Sequence, residues 1–392
     1  MYNHITGKTD RIDLAIFYPF LGVLAEVAHT HPDKPLHQGV AHVIVNSPNP
    51  GQRSSRLPDG SAAKLILLGD PISESKFNTK TWWPSADSDM VRSKLFRRIW
   101  REGYVIPIVT AIAVSLLTEM YTTTYIPASA SPDGKAKHRV RLQHRKSPLT
   151  DFGIAKGVAD VKQQDKLAYG SMRDRKLFIK GQDPNDHYWI YFTTLNGEEI
   201  TLELNMYTFN FCILILSRPY CMDIFPPFSA VPAFFRDREC AESSPDLAEE
   251  RQRFSVLRNS TLHKVASNPA ESLDKSNTKL VHEFMDTLAG RRCTEDEKSL
   301  LEIILKPFRI GFRHVIATQA WSKWPRTPQM SIEEDPDEPD CFVDDDEKWG
   351  QYHEEWKRTK KEGATKEEQA DNFRKWDRKY KESGGRSQSF SR

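Results

Sequence analysis

The sequence predicts an α+β protein: a mostly helical body with a small antiparallel sheet around a β-hairpin at 188–204, followed by a charged C-terminal tail. Three observations predict it. The segment DHYWIYFTTLNGEEITLEL (186–204) places Asn196-Gly197 between two runs rich in β-formers, and that pair suits a two-residue turn with both residues at positive φ. Apolar residues recur at helical spacing in several other segments, as in Val91, Leu95 and Ile99 or Leu280, Phe284 and Leu288. Finally, Glu333 to Glu347 holds ten Asp/Glu in fifteen positions and no base, a composition that repels itself and resists packing.

The hairpin justifies the sheet. Folding about a two-residue turn pairs Leu195 with Glu198, Thr193 with Ile200, Tyr191 with Leu202 and Trp189 with Leu204. The resulting face is almost wholly apolar and is expected to point at the core. Residues 61–70 (SAAKLILLGD) read as a short buried strand. The helices carry their own boundary signals. A helix from Asp87 ends at Gly103, and Gly290 closes one through Leu280–Leu288. Thr294-Glu-Asp-Glu297 is a capping box opening another. Amphipathic helix is also expected within Pro245–Lys264. Leu204 to Ser217, uncharged but too short to span a bilayer, reads as buried helix or strand.

Gly103 to Thr118 is sixteen residues without a charge, preceded by Arg97, Arg98 and Arg101. A membrane span needs roughly 20 apolar residues, and this run contains Pro107, Thr110 and Ser115 before Glu119. It is therefore expected as a core helix at 105–120, apolar all round because it is buried all round. The apolar stretch Leu14–Ala25 reads as a buried N-terminal helix rather than a secretion signal, since Asp13 and Pro19 interrupt the signal pattern. Turn-rich residues 122–134 suggest a boundary. The expected regions are 1–128, mainly helical; 129–328, holding the hairpin and C-terminal helices; and 329–392, a charged, partly disordered or helical tail.

Composition narrows function. The chain has 392 residues, 56 Lys+Arg against 54 Asp+Glu, 38% hydrophobic residues and a net charge of +2; its mean hydropathy is −0.60. The near-neutral total is a sum of opposites. Residues 331–392 carry 13 Lys/Arg and 18 Asp/Glu, which leaves a body of 43 against 36. Five scattered cysteines without a CxxC pair exclude a zinc ribbon and a thioredoxin-like redox site, and they fit an intracellular setting, cytoplasmic or nuclear. Catalytic templates fail. Gly7-Lys8-Thr9 lacks the upstream glycine of a phosphate loop, and Asp151-Phe152-Gly153 lacks the other kinase motifs. No GxSxG elbow occurs, and neither His282-Glu283 nor His353-Glu354 has the second histidine of a zinc protease. His29, His31, His37 and His42 cluster in sequence, but no cysteine or carboxylate pair completes a shell, so neither a metal nor a cofactor is expected.

Two segments remain as candidates for contacts. Lys135, Lys137, Arg139, Arg141, Arg145 and Lys146 form a basic stretch whose period of two suits an edge strand with one charged face; nuclear import and nucleic-acid contact are the alternative uses. In the tail, Trp349, Tyr352 and Trp356, then Phe373, Trp376 and Tyr380, repeat an i, i+3, i+7 aromatic spacing. A helix would align each trio as anchors for a partner groove. The expected function is thus a non-enzymatic protein-interaction module acting through the tail. The alternatives are an enzyme whose site assembles only in space, or a nucleic-acid-associated protein using 135–146. Other proteins are the expected partners, and a membrane is not.

Glu119-Met-Tyr-Thr-Thr-Thr124, Asp186–Glu199, Thr208-Phe-Asn210 and Pro232-Ala-Phe-Phe-Arg-Asp-Arg-Glu239 resemble stretches of uncharacterised fungal proteins, several of which carry a MYND-type zinc finger. The resemblance spans about residues 10–330 and implies an intracellular protein. The finger is absent, because its closely spaced cysteines are missing, so zinc and the finger's peptide-binding role do not carry over.

Overall fold

A computed structural model describes residues 10–57, 59–73, 77–122, 140–173, 178–243, 247–267 and 273–333, with single positions at 358, 365, 368, 372 and 375. Of the described residues 43% are helical and 27% are strand, so the expected mostly helical body with one small sheet is corrected. Among the described residues the largest of three sheets has seven strands and curls into a half-barrel.

Its spine is the thirteen-residue strand Ser147–Ala159. One edge of that strand pairs with His187–Thr194; the other pairs first with Val140–His144 and then with Ala248–Ser255. Glu199–Glu203 and Phe234–Arg236 extend the sheet beyond His187–Thr194, and Asp10–Asp13 adds in parallel beside Val140–His144. Two glycines allow the Ala248–Ser255 strand to approach. A Cβ on Gly153 would lie 2.1 Å from the Phe254 carbonyl oxygen, and one on Gly157 would lie 2.0 Å from that of Glu249. The kinase-like triplet thus has a structural use: Phe152 is buried, Gly153 admits a strand, and Asp151 accepts a 2.6 Å hydrogen bond from the Ser255 hydroxyl. Residues 248–255 are accordingly strand, with only Ser260–Ala266 helical in the interval expected to be helix.

The hairpin forms in a register one residue away from the expected one. Thr194 N–H donates to Glu198 and Gly197 N–H to Thr194, so three residues, Leu195 to Gly197, make the loop, and of these only Gly197 has positive φ. Thr193 therefore faces Glu199, Phe192 faces Ile200, and Ile190 faces Leu202. A one-residue shift exchanges the two faces of a strand. Ile190, Phe192, Ile200 and Leu202 line the main core, while Trp189 and Tyr191 pack on the opposite face against Ala155 and Ala248. Both faces of His187–Thr194 are covered.

The two-residue turn occurs elsewhere, at Arg145-Lys146, where both residues sit at positive φ (46° and 72°) between the paired His144 and Ser147. Nothing in that dipeptide advertises the conformation, which costs a side-chain-bearing residue roughly 1–2 kcal/mol. The hairpin also corrects the edge-strand reading of the basic stretch. Val140–His144 is an interior strand, and Asp10–Asp13 is the edge among the described residues.

The uncharged segment becomes the helix Val105–Leu116, every residue of which is buried, continued by a π-helical turn Leu117–Thr122. Strands Ser147–Ala159 and His187–Thr194 and helices Leu14–His29, Lys275–Ala289 and Glu295–Thr318 pack around it. The π turn brings in Glu119, whose carboxylate accepts from Arg309 at 2.9 Å and Arg313 at 2.8 Å. Glu119 and Arg309 are both buried, so each holds the other's charge in a medium where neither is stable alone. Glu295–Thr318 opens with the expected capping box and continues through Pro307.

A second core around Trp82 and Trp83 backs a five-stranded sheet in which Ala62–Pro71 runs parallel to Leu167–Ser171. This pairing and that of Asp10–Asp13 with Val140–His144 connect segments on either side of the turn-rich stretch 122–134. A three-stranded sheet orders Ala230–Pro232, Ile213–Leu216 and Met330–Ile332.

Two substitutions test this description. Lys146→Asn relieves left-handed strain at an exposed side chain and should raise stability by about 0.5–1 kcal/mol, read as a higher thermal midpoint. Glu119→Ala removes the buried carboxylate that Arg309 and Arg313 share and should cost about 3–5 kcal/mol in denaturant unfolding.

Candidate interaction site at the root of the C-terminal segment

The described body ends at Glu333, five residues beyond the expected limit near Trp321–Pro328. Gln329 and Met330–Ile332 run antiparallel to Ile213–Leu216, with Leu216 N–H donating to Gln329 and Glu333 N–H to the Cys212 carbonyl. Met330–Ile332 forms one edge of its sheet among the described residues. Its apolar side chains face solvent, Met330 at 64% and Ile332 at 69% exposure, and Leu216 on the neighbouring strand stands at 40%. Edge strands in monomeric proteins are usually blunted by charge or proline. This one carries neither.

Glu333 is held from three directions. Besides its backbone bond to Cys212, its carboxylate receives the Arg97 guanidinium and the Tyr207 hydroxyl. The Tyr207 phenol is pushed above its ordinary pKa, chiefly by burial, then by Cys212 and by the hydrogen bond to Glu333. Arg101 lies with its guanidinium 4.9 Å from the Tyr207 ring centroid and bonds the Arg97 carbonyl. Its other nitrogens make a two-point bridge to Glu26 at 2.9 and 2.6 Å. A polar chain thus runs from Glu26 in the first helix to the backbone where the acidic sequence begins. The sequence carries almost no signal for it. Arg97 and Arg101 read as flanks of an apolar run, and Met330-Ser-Ile332 is too short for a periodic pattern.

The residues singled out from sequence are placed as follows. Trp349, Tyr352, Trp356, Phe373, Trp376 and Tyr380 lie outside the described residues, as do Lys135, Lys137 and Arg139. Arg141 stacks 4.9 Å over the Tyr121 ring and bonds its carbonyl. Arg145 bridges Asp237 and Glu239, each at 2.8 Å, and Lys146 is exposed in the turn. In the described part of the basic segment, then, Arg141 and Arg145 are each engaged by other groups of the protein, Arg145 at the surface.

The clustered histidines separate into individual tasks. His37 Nδ1 accepts from Gly39 N–H and caps a short helix, His31 Nδ1 accepts from Asp33 N–H, and His42 contacts the Gln38 carbonyl at 3.0 Å. His29 closes the first helix and is buried. His187 is sealed in the core, 2.8 Å from the Glu203 carboxylate and stacked on Trp189. Among the described residues no group of three or more His, Cys, Asp or Glu is arranged to hold a metal ion.

Removing the shared acceptor in Glu333→Ala leaves Tyr207 and Arg97 without their common partner, at a cost of about 1–3 kcal/mol. Hydrogen exchange read by mass spectrometry should then show faster exchange in 329–333 and 212–216, with 187–194 unchanged.

No protein-family model matches the chain, and neither the curated proteins nor the solved structures yield a match.

Proposed function

We propose that this chain is a non-enzymatic protein-interaction module that receives an extended segment of a partner protein along the Met330–Ile332 edge. One observation carries the reading: an apolar, uncharged edge strand is clamped in place by Glu333 immediately before a run of ten acidic residues in fifteen. Main-chain hydrogen bonding to such an edge supplies affinity, and alternate side chains supply specificity. The acidic run selects the partner's chemistry. A segment alternating β-branched residues with lysine or arginine matches both the apolar strand and the charge that follows it. The aromatic trios at 349–356 and 373–380 add anchors to the same partner. Cys212, Cys221, Cys240 and Cys293 form no disulfide with one another, which supports a reducing compartment, cytoplasmic or nuclear.

The test uses the full chain and fluorescent ten-residue peptides alternating Val or Ile with Lys, beside matched peptides carrying Asp. The lysine series should bind, weaken as salt rises, and lose at least tenfold in affinity to the Ile332→Pro chain, which cannot extend the ladder. Equal binding of the two series, no binding, or indifference to Ile332→Pro would overturn the proposal.

A further inference from the structure

The curl of the seven-stranded sheet brings its two ends together at one side chain. Among the described residues Asp10–Asp13 is the strand at one end of the sheet and Phe234–Arg236 the strand at the other, and no backbone ladder joins the two. His144, the last residue of Val140–His144, lies between them and is 1% exposed. Its Nδ1 stands 3.6 Å from the carboxylate of Asp13, the last residue of the first strand. Its Nε2 stands 3.4 Å from the carboxylate of Asp237, the residue after Phe234–Arg236, and 3.6 Å from that of Glu198 in the hairpin. The imidazole thus has a carboxylate at each nitrogen, supplied from opposite ends of the sheet.

The neighbouring groups belong to the same seam. Arg145 N–H donates to Asp13 at 3.2 Å, and its guanidinium reaches Asp237 and Glu239, each at 2.8 Å. Asp13 also caps the first helix through Ala15 N–H, and Asp237 accepts from Cys240 N–H in Arg238–Ser243. Tyr18 of the first helix stacks on Phe235 with ring centroids 4.7 Å apart, and the His144 ring lies 5.7 Å from Phe235. Lys146 is exposed. These contacts account for the left-handed Arg145-Lys146 turn, since backbone strain persists only where the surroundings over-determine it. The carboxylates of Asp13, Glu198, Asp237 and Glu239 therefore gather around His144 and Arg145. Of those two bases only Arg145 is charged at every pH.

The protonation of His144 decides whether that arrangement holds. A neutral imidazole has one N–H and one bare lone pair, so one of its nitrogens must present a lone pair to a carboxylate. An imidazolium has an N–H for each side and adds a positive charge. We propose that His144 is a proton-operated clasp, tying the two ends of the curled sheet when doubly protonated and releasing them when it loses a proton. Against the opposing effect of burial, the His144 ring and the Ala15 N–H hold the Asp13 carboxyl below its ordinary range. Asp13 is therefore ionised wherever an imidazole titrates. Tyr18, kept above its ordinary range by burial first and then by Tyr220 and Cys240, stays neutral there. A proton held more tightly in the closed form than in the open one stabilises the closed form at low pH, and that stabilisation is lost as pH rises. Release on the alkaline side leaves Phe234–Arg236 with its pairing to Glu199–Glu203 and loosens its other side.

The test is hydrogen exchange of the full-length chain, read by mass spectrometry at pH 5.5 and 8.5 and corrected for the intrinsic rate. Protection of 234–241 should fall roughly fivefold or more at the higher pH, with 108–116 unchanged. That comparison needs no variant. His144→Gln, which cannot carry the charge, should show the low protection at both values. Glu198→Gln leaves the Asp13 and Asp237 carboxylates in place and should lower the pH of the change by about one unit. Wild-type protection of 234–241 that is indifferent to pH, or greater at pH 8.5, would overturn the clasp. A pH dependence that survives in folded His144→Gln would assign it to another group. Should His144→Gln not fold, an unshifted change in Glu198→Gln would overturn the assignment equally.

Discussion

The constraint on which the rest of the structure depends is the burial of Val105–Leu116. A helix that is apolar on every face has no side to offer water, so the chain must supply cover all the way round. One layer of helices cannot do that, and neither can a flat sheet. Here a curled sheet supplies part of the cover through Ser147–Ala159 and His187–Thr194, and helices supply the rest. The demand propagates outward. For the sheet to wrap, its strands need covering on both faces, which explains why Trp189 and Tyr191 are buried on the side away from the helix.

The same burial sets the terms for charge. Glu119 follows the apolar helix and enters the protein interior, where an unpaired carboxylate is unstable; Arg309 and Arg313 from Glu295–Thr318 meet it. Arg101 precedes the helix and meets Glu26. Each end of the central helix is thus tied by a charge pair to a covering helix. Such pairs add less net stability than their geometry suggests, because desolvation offsets attraction. What they exclude is misplacement, since a helix shifted by one turn would leave two buried charges apart.

Legibility in the sequence followed the range of the interactions. Local signals were readable: the capping box at Thr294, the left-handed stop at Gly290, and the core identity of 105–116 each depend on a few neighbouring residues. The hairpin was half readable. Asn196-Gly197 announced a turn, but its length was decided by the pairing of His187–Thr194 with Ser147–Ala159 on its other edge, and one residue of difference exchanged the faces. The large sheet was not readable at all. Its order joins strands far apart in sequence, and the charged Ala248–Ser255 (AEERQRFS) has no apolar alternation. Gly153 and Gly157 held the clue, as small residues in a strand where another backbone comes close. The candidate sites were hidden for a related reason. Glu333 lies 126 residues from Tyr207 and 236 from Arg97, and no spacing rule reaches that far.

The polar path from Glu26 to Glu333 gives those separations a physical meaning. Its members are mutually dependent: Arg101 is neutralised by Glu26 and supports Tyr207, Tyr207 and Arg97 converge on Glu333, and Glu333 fixes the last described strand. His29 and Lys34 belong to the segment that begins at the end of the first helix, within the influence of Arg101. A change of charge at that inner end therefore acts on Arg101 in a low-dielectric setting, where Coulomb forces are strong. Arg101 is also the residue through which the first helix steadies the strand edge.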